Sequence, residues 1–321
     1  VGAEDPATGQ RVTSASVLED FVNDEVIVYI DDGTGFVADK VSLPADSLAL
    51  AVLAGQTTLD LSNVEDFPSS GLLLLENTTA ADRELVAYSS KDNATNVITL
   101  SSALVNGHAA GTIVSVVQQV TAAAESGQQR FSLQNFPVVR GTDRIFLKEP
   151  GSSWRQLTSG TDYVLNKGNG EFALTSLAGA AIGAEIVAQY GYYTNLVLVA
   201  QLTLEGSKTN EGLYPGVKAA GIMLSVEAPV LKRITVTATI SAQSGFAETD
   251  LAPLVQQNMQ NYVNSLNIGE DLIRTKLIDV AYDIPGVGDV TIVQPTSNLV
   301  VLEHEIAIPF DASGASLVTV S

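Results

Sequence analysis

The stretch from Leu231 to Pro309 constrains the fold more tightly than any other part of the chain. Leu231–Ser241 (LKRITVTATIS) alternates, with Ile234, Val236, Ala238 and Ile240 on one side and Arg233, Thr235, Thr237 and Thr239 on the other. Period-two alternation of β-branched residues marks a half-buried strand. Gly245 breaks the pattern, and Thr249 or Asp250 offers a side-chain oxygen to cap a helix. Leu251, Leu254, Val255, Tyr262, Val263 and Leu266 then fall on one face at helical spacing. Asn267-Ile268-Gly269 predicts the stop, because glycine takes the left-handed conformation at little cost. A second helix is expected over about Glu270–Tyr282, with Ile273, Leu277, Val280 and Ala281 inward. The turn Asp283–Val287 follows, then strands at Val287–Val293 and Leu299–Pro309. The order is strand, helix, helix, strand, strand.

Composition narrows the function. The chain has 321 residues, 45% of them hydrophobic, enough for more than one core. Its net charge is −20, with only 16% charged residues. A nucleic-acid binder needs a basic surface to release counterions, and anionic membranes attract bases, so neither partner is expected. Cysteine is absent, which excludes disulfides, thiolate metal sites and thiol catalysis. No apolar run approaches ~20 residues, so no transmembrane helix is expected, and no secretory leader is visible.

The remainder reads as β modules. Val1–Gln10 is polar and predicts an arm, Val17–Val22 a helical turn, and Val26–Ile30 a strand ending in the Asp31–Gly35 turn. That turn lacks the ligand spacing of a calcium loop and reads as a loop corner. Residues 1–55 are assigned to an N-terminal arm and strand sharing a sheet with 197–229. A first small β module is expected over 56–119, with strands at Thr57–Leu61, Gly71–Glu76, Arg83–Tyr88, Val97–Leu100 and Thr112–Val117. A second follows over 120–198, with strands at Arg130–Leu133, Arg144–Lys148, Gln156–Leu157, Tyr163–Asn166, Glu171–Leu174 and Glu185–Gly191. Asn166–Gly170 is a hairpin turn between two of them. Each module contains a Phe-Pro pair, Phe67-Pro68 and Phe136-Pro137, which hints at a duplicated unit. Residues 199–229 are expected to be connecting strands, and 230–321 a C-terminal α+β assembly domain. The fold class is α+β, mostly β: small barrel or sandwich modules followed by the β-α-α-β-β domain.

A search for chemistry nominates no catalytic, metal or cofactor residue. His108 sits in a turn, and His304 lies on the last predicted strand beside Leu302, Ile306 and Ile308. Neither has a histidine or cysteine companion, and Glu303 and Glu305 flanking His304 point to the opposite face of a strand. Glu270 and Asp271 in the first turn of a helix are explained by the macrodipole. There is no G-x-S-x-G elbow, no P-loop and no G-x-G-x-x-G. Trp154, Tyr192 and Tyr193 are the candidates for a glycan platform, although aromatic residues also fill small β cores.

Two segments carry a family resemblance: IPGVGDVTI (Ile284–Ile292) directly after the second helix, and YPGVKAAGIMLSVEAPV (Tyr214–Val230) before the first strand. With the β-α-α-β-β order, residues 214–309 resemble the C-terminal half of the baseplate J-like family, wedge proteins of contractile-tailed phages and related injection machines. The resemblance implies a structural virion protein without cofactor or catalysis, assembled in the bacterial host cytoplasm. It would pair with itself as a dimer or ring contact, bind other wedge and hub proteins, and pass the attachment signal to sheath contraction. It also implies further chain before Val1. Val255, Tyr262, Leu277 and Val300 are the expected core of this unit. Lys232, Arg233, Arg274 and His304 are the candidate interface residues, the first three being cations in an otherwise acidic chain. The alternative is a β-rich receptor-binding or adhesin tail protein recognising host glycan through Trp154, Tyr192 and Tyr193.

Overall fold

A computed structural model describes residues 3–20, 25–33, 40–77, 79–120, 127–176, 179–207, 209–219 and 221–321. The chain divides into two compact units, Val1–Asp39 with Asn195–Ser321, and Lys40–Thr194. The fold is α+β and mostly β.

The first unit opens with β1 (Ser14–Asp20) and β2 (Glu25–Asp31), an antiparallel pair in which Ser14 faces Asp31. The helical turn expected at Val17–Val22 is therefore strand as far as Asp20, while Phe21 and Val22 lie outside the described residues. Pairing to β2 overrides a pattern too short to distinguish the two states. Thr34 and Gly35 of the Asp31–Gly35 turn, and Val1 and Gly2 of the arm, also lie outside the described residues. Asp31 accepts the Gly33 amide through Oδ2 at 2.9 Å, the local bond that lets Asp start a turn.

The unit 40–194 begins with β3 (Lys40–Ser42), β4 (Ala45–Ser47), β5 (Thr58–Asp60), β6 (Gly71–Glu76), β7 (Glu84–Asp92), β8 (Val97–Leu100) and β9 (Ile113–Val120). It continues with β10 (Arg130–Ser132), β11 (Arg144–Lys148), β12 (Arg155–Gln156), β13 (Tyr163–Leu165), β14 (Glu171–Leu174), β15 (Glu185–Gln189) and β16 (Gly191–Tyr193). One open sheet runs β12-β11-β15-β9-β6-β7-β8-β5, with β4 also on β9. No closed barrel forms among the described residues. β9 is the joint: residues 113–117 pair with β6 and residues 118–120 with β15.

Two cores flank that joint. Leu59, Leu73, Leu75, Ile98 and Val114 belong to one, and Phe131, Ile145, Leu147, Tyr163 and Phe172 to the other. The opposite sheet face buries Leu74, Val117, Phe146, Trp154 and Val187 together. Strands β6 (GLLLLE) and β11 (RIFLK) are thus covered on both faces, which is why they read as continuous apolar runs. Arg144 ties the halves together, donating to Glu76 and, at 2.9 Å, to Gln189 Oε1. The two Phe-Pro pairs differ, since Phe136-Pro137 is cis and Phe67-Pro68 is not.

The first unit resumes with α1 (Asn195–Glu205) and β17 (Met223–Glu227). The segment 199–229, expected as connecting strands, is helical through Glu205. A short apolar run cannot by itself separate a buried strand from a buried helix. Gln201 is the tether: its side chain donates to the Leu224 carbonyl at 3.2 Å and accepts the Val226 amide at 2.7 Å. β17 pairs parallel with β2, giving the sheet β1-β2-β17.

The C-terminal part then runs β18 (Val230–Arg233), β19 (Val236–Ala242), α2 (Glu248–Asn264), α3 (Arg274–Tyr282), β20 (Val287–Gln294), β21 (Glu305–Ile308) and β22 (Val318–Val320). The single strand expected over Leu231–Ser241 is split, because β18 pairs parallel with β21 whereas β19 joins β20 and β22. Helices α2 and α3 cover the sheet β20-β19-β22, burying Leu251, Val255, Met259 and Leu277 against Val236, Ala238 and Ile292. Ala247, not Thr249 or Asp250, holds the N-cap of α2, without a side-chain bond. Glu248 and Asp250 in the first turn still complement the macrodipole.

Helix α3 starts at Arg274, so Glu270 and Asp271 lie before it. Their carboxylates are used locally: Glu270 accepts from the Asn267 amide at 3.0 Å and Asp271 from the Val301 amide at 2.8 Å. Val300, expected in the core, is 64% exposed, because β21 does not begin until Glu305 and the chain before it runs along the surface.

Candidate assembly surface

The candidate interface residues fall on different structural roles. Lys232, on β18, donates to Glu305 Oε2 on β21 at 2.7 Å. Glu305 also accepts the Leu302 amide at 2.9 Å. The Lys232 bond first, and the Leu302 bond after it, hold the Glu305 carboxyl below the usual carboxylate range. This lysine is therefore largely neutralised inside its own sheet.

Arg274 is an internal clamp. Its guanidinium donates to the carbonyls of Pro295 at 3.1 Å and Ile292 at 2.9 Å, and its amide donates to Asn298 Oδ1 at 2.9 Å. These bonds pin the turn between β20 and Leu299 to the start of α3. Arginine suits this role because its planar fork satisfies several acceptors at once. His304 is half-buried and precedes β21 rather than lying within a strand. Its carbonyl accepts the Val230 amide at 2.8 Å, and its ring lies 5.9 Å from that of Tyr29.

Arg233 differs from the other three. It is exposed at the end of β18 and makes no hydrogen bond or ion pair among the described residues. It borders a cleft of about 530 Å³ floored by Leu231, Ile308 and Phe310. Asp311 stands across that cleft with its carboxylate turned onto its own loop. Oδ1 accepts from the Ser313 hydroxyl at 2.7 Å, the Ser313 amide at 2.8 Å and the Ala315 amide at 2.9 Å. The Ser313 hydroxyl leads the causes that lower the Asp311 carboxyl, and the Arg233 charge is the smallest of them. Sequence reasoning placed Arg233 among three cations and a histidine without ranking them. What distinguishes it is that its side chain makes no hydrogen bond or ion pair among the described residues, whereas Lys232 and Arg274 are bonded to Glu305 and to the 292–298 turn, far away along the chain.

The glycan platform does not form. Trp154 is only 2% exposed and Tyr193 is buried; Tyr192 is half-buried, its ring centroid 6.1 Å from that of Tyr190. Stacking on a sugar needs an accessible ring face, whereas Trp154 fills one core of the large sheet and Tyr192 packs against another. His108 is likewise buried rather than a plain turn residue. Its Nε2 sits 3.3 Å from Glu84 Oε2, and Glu84 also accepts the Val105 and Asn106 amides at 2.7 and 2.9 Å. This network holds the Val105–Asn106 loop against β7. No group of three His, Asp or Glu side chains suited to a metal ion occurs among the described residues.

With the β19–α2–α3–β20 layer and the separate β18–β21 pair in view, one comparison decides the domain. Residues 234–312 match the family model described as the baseplate J-like protein C-terminal domain. This segment is a baseplate J-like C-terminal domain. The match runs from Ile234, between β18 and β19, to Ala312 in the cleft-side turn. Tyr214–Val230, which carried part of the resemblance in sequence, lies before it. Comparison with curated proteins finds no match to the chain. The J-like match ties this part of the chain to a structural role in a phage tail baseplate, among other baseplate proteins. No helix among the described residues is long and apolar enough to cross a membrane.

Proposed function

We propose that this chain is a wedge subunit of a contractile-tail baseplate, in the virion and assembled in the host cytoplasm. It would join neighbouring wedges into a ring around the hub and relay host attachment to sheath contraction. The observation that carries this reading is the J-like C-terminal domain itself, folded as a compact two-layer unit around Val255, Met259 and Leu277. A low charge density with a mostly β architecture suits burial between subunits, where charged residues are depleted at interface centres. A ring that rearranges needs interfaces with two stable arrangements rather than a reactive centre. In this reading the J-like domain makes the contact between subunits, with Arg233, just before it, as the exposed one of the four candidate residues.

The test is a solution-mass measurement of the purified chain, alone and mixed with the other tail proteins of the same virus. Discrete dimers, or complexes of fixed stoichiometry with those proteins, are expected. A chain that stays monomeric and enters no complex at micromolar concentration defeats the proposal.

A further inference from the structure

We infer that Asn106-Gly107 is a site of spontaneous deamidation in the folded protein, and that the product loosens the loop between β8 and β9. The chemistry is independent of the baseplate reading. Asparagine is a thermolabile residue, and a following glycine leaves its backbone nitrogen unhindered by a side chain. The chain has two such pairs, Asn106-Gly107 and Asn169-Gly170. The fold treats them differently. Gly170 is buried and its amide donates to the Asn166 carbonyl at 2.9 Å. The Asn169 side chain is held as well, Oδ1 accepting the Glu171 amide at 3.0 Å and Nδ2 donating to Glu171 Oε2 at 3.3 Å. Gly107, by contrast, is exposed, and its amide donates to no group among the described residues. The half-buried Asn106 uses its backbone amide on Glu84, while its side chain makes no hydrogen bond among the described residues.

The reaction needs only water and hydroxide. The Gly107 nitrogen gives its proton to hydroxide and bonds to Asn106 Cγ. The Cγ–Nδ2 bond then breaks and Nδ2 leaves as ammonia, closing a five-membered succinimide. Water reopens the ring. Addition at Cγ leaves aspartate, whereas addition at the backbone carbonyl carbon leaves isoaspartate, whose main chain runs through Cβ and Cγ. The net change is one water taken up and one ammonia released. Either product disturbs two anchors that lie close together. The buried Glu84 accepts the Val105 and Asn106 amides at 2.7 and 2.9 Å, and His108 exchanges backbone bonds with Val52 at 2.8 and 2.9 Å. Aspartate puts a second carboxylate on the residue whose amide Glu84 holds, and like charges disfavour each other. Isoaspartate puts one extra main-chain carbon between the two anchors.

The experiment warms the full chain in mildly alkaline heavy-oxygen water and follows both pairs by peptide mass mapping, with isoaspartyl methyltransferase labelling to identify isoaspartate. Oxygen label incorporated at the residue separates reaction in the folded chain from reaction during digestion. Aspartate and isoaspartate should both appear at position 106, about tenfold or more faster than at 169, where the Asn166–Gly170 turn must open first. In denaturant that protection is gone, so the two rates should converge. G107A should slow the reaction at 106, because a methyl group then shields the attacking nitrogen. A Cβ there meets nothing nearer than the Val52 carbonyl oxygen at 3.4 Å, an ordinary contact, so the variant keeps the loop. The modified chain, separated by its added negative charge, should exchange the Val52 and His108 amides about tenfold faster than the fresh chain.

A folded chain in which Asn106 reacts no faster than Asn169 overturns the inference, as does a G107A chain that reacts as fast as the wild type. Aspartate without isoaspartate overturns the succinimide route, since direct hydrolysis of the side chain gives aspartate alone. Unchanged exchange at Val52 and His108 in the modified chain overturns the loosening of the loop.

Discussion

Gly286 offers the sharpest test of why the J-like domain has the local sequence it has. It sits in the Ile284–Val287 turn between α3 and β20 with φ +99°, a backbone state that L-residues avoid. A Cβ added there would lie 2.5 Å from Phe246 Cδ1 and 2.6 Å from Cγ. Two costs therefore add in G286A. The backbone strain is about 1–2 kcal/mol. Phe246 must also move, and because it is 53% exposed it can swing outward, giving up about 1 kcal/mol of ring burial rather than the full cost of an overpacked core. The sum is about 2–3 kcal/mol.

Gly314 supplies the control. It has φ +83°, and a Cβ added there would meet no atom within 4 Å, so G314A should show strain alone, about 1–2 kcal/mol. In the F246A background the cost of G286A should drop by about 1 kcal/mol, a coupling visible in a double-mutant cycle. Native-state hydrogen exchange of the β19 and β20 amides reports this unit without requiring the whole chain to unfold in one step. If G286A costs no more than G314A, or if F246A leaves its cost unchanged, the account of this turn is wrong.

Further outcomes follow from the same contacts. L277A removes a fully buried side chain between α3 and the sheet and should cost about 2–5 kcal/mol, while L254A, on the exposed side of α2, should stay within about 0.5 kcal/mol; the same exchange experiment reads both. Glu305 has a folded-state value depressed below its ordinary 4.5, so its contribution is present above that pH and is lost as pH falls through the lowered value. K232M should therefore flatten the decline of melting temperature below about pH 4.5, leaving the neutral-to-basic side unchanged in slope. R144M leaves the Glu76 carboxylate buried with Ser115 and should cost about 2–4 kcal/mol, below the full figure for a buried pair because Arg144 is 31% exposed. The single tryptophan, Trp154, packs on the same sheet face as Phe146 and makes its emission the readout in urea.

Much of the β architecture was legible because short strands between turn residues leave few alternatives. β6, β8, β11 and β14 start and stop where the sequence pattern places them, and the Asn166–Gly170 turn joins β13 to β14 as read. Helix α2 was legible from its periodicity in Leu251, Val255 and Val263, which are buried, but Leu254, expected on the same face, is 53% exposed, Tyr262 is only half-buried, and Leu266 is buried beyond the end of the helix. The α1 helix was not, because an apolar run of that length carries no period. Nor was the Glu270–Ile273 segment: it looked helical, yet Leu272 bridges to Leu299 and takes the place of a first turn.

The candidate surface divides in the same way. Residue types and alternation, both local properties, determined by themselves that Leu231 and Arg233 share one side of a strand and that the chain carries few cations among many acids. Which cation is spoken for was decided by the tertiary structure alone. Lys232 meets Glu305 across 73 positions of sequence because β18 and β21 lie side by side, and Arg274 reaches the 292–298 turn because α3 packs against β20. The sequence could state the charge of Arg233; only the pairing of distant strands could leave its side chain exposed and without a hydrogen bond among the described residues while Lys232 and Arg274 are bonded, since such partners are set by distance in space and not along the chain.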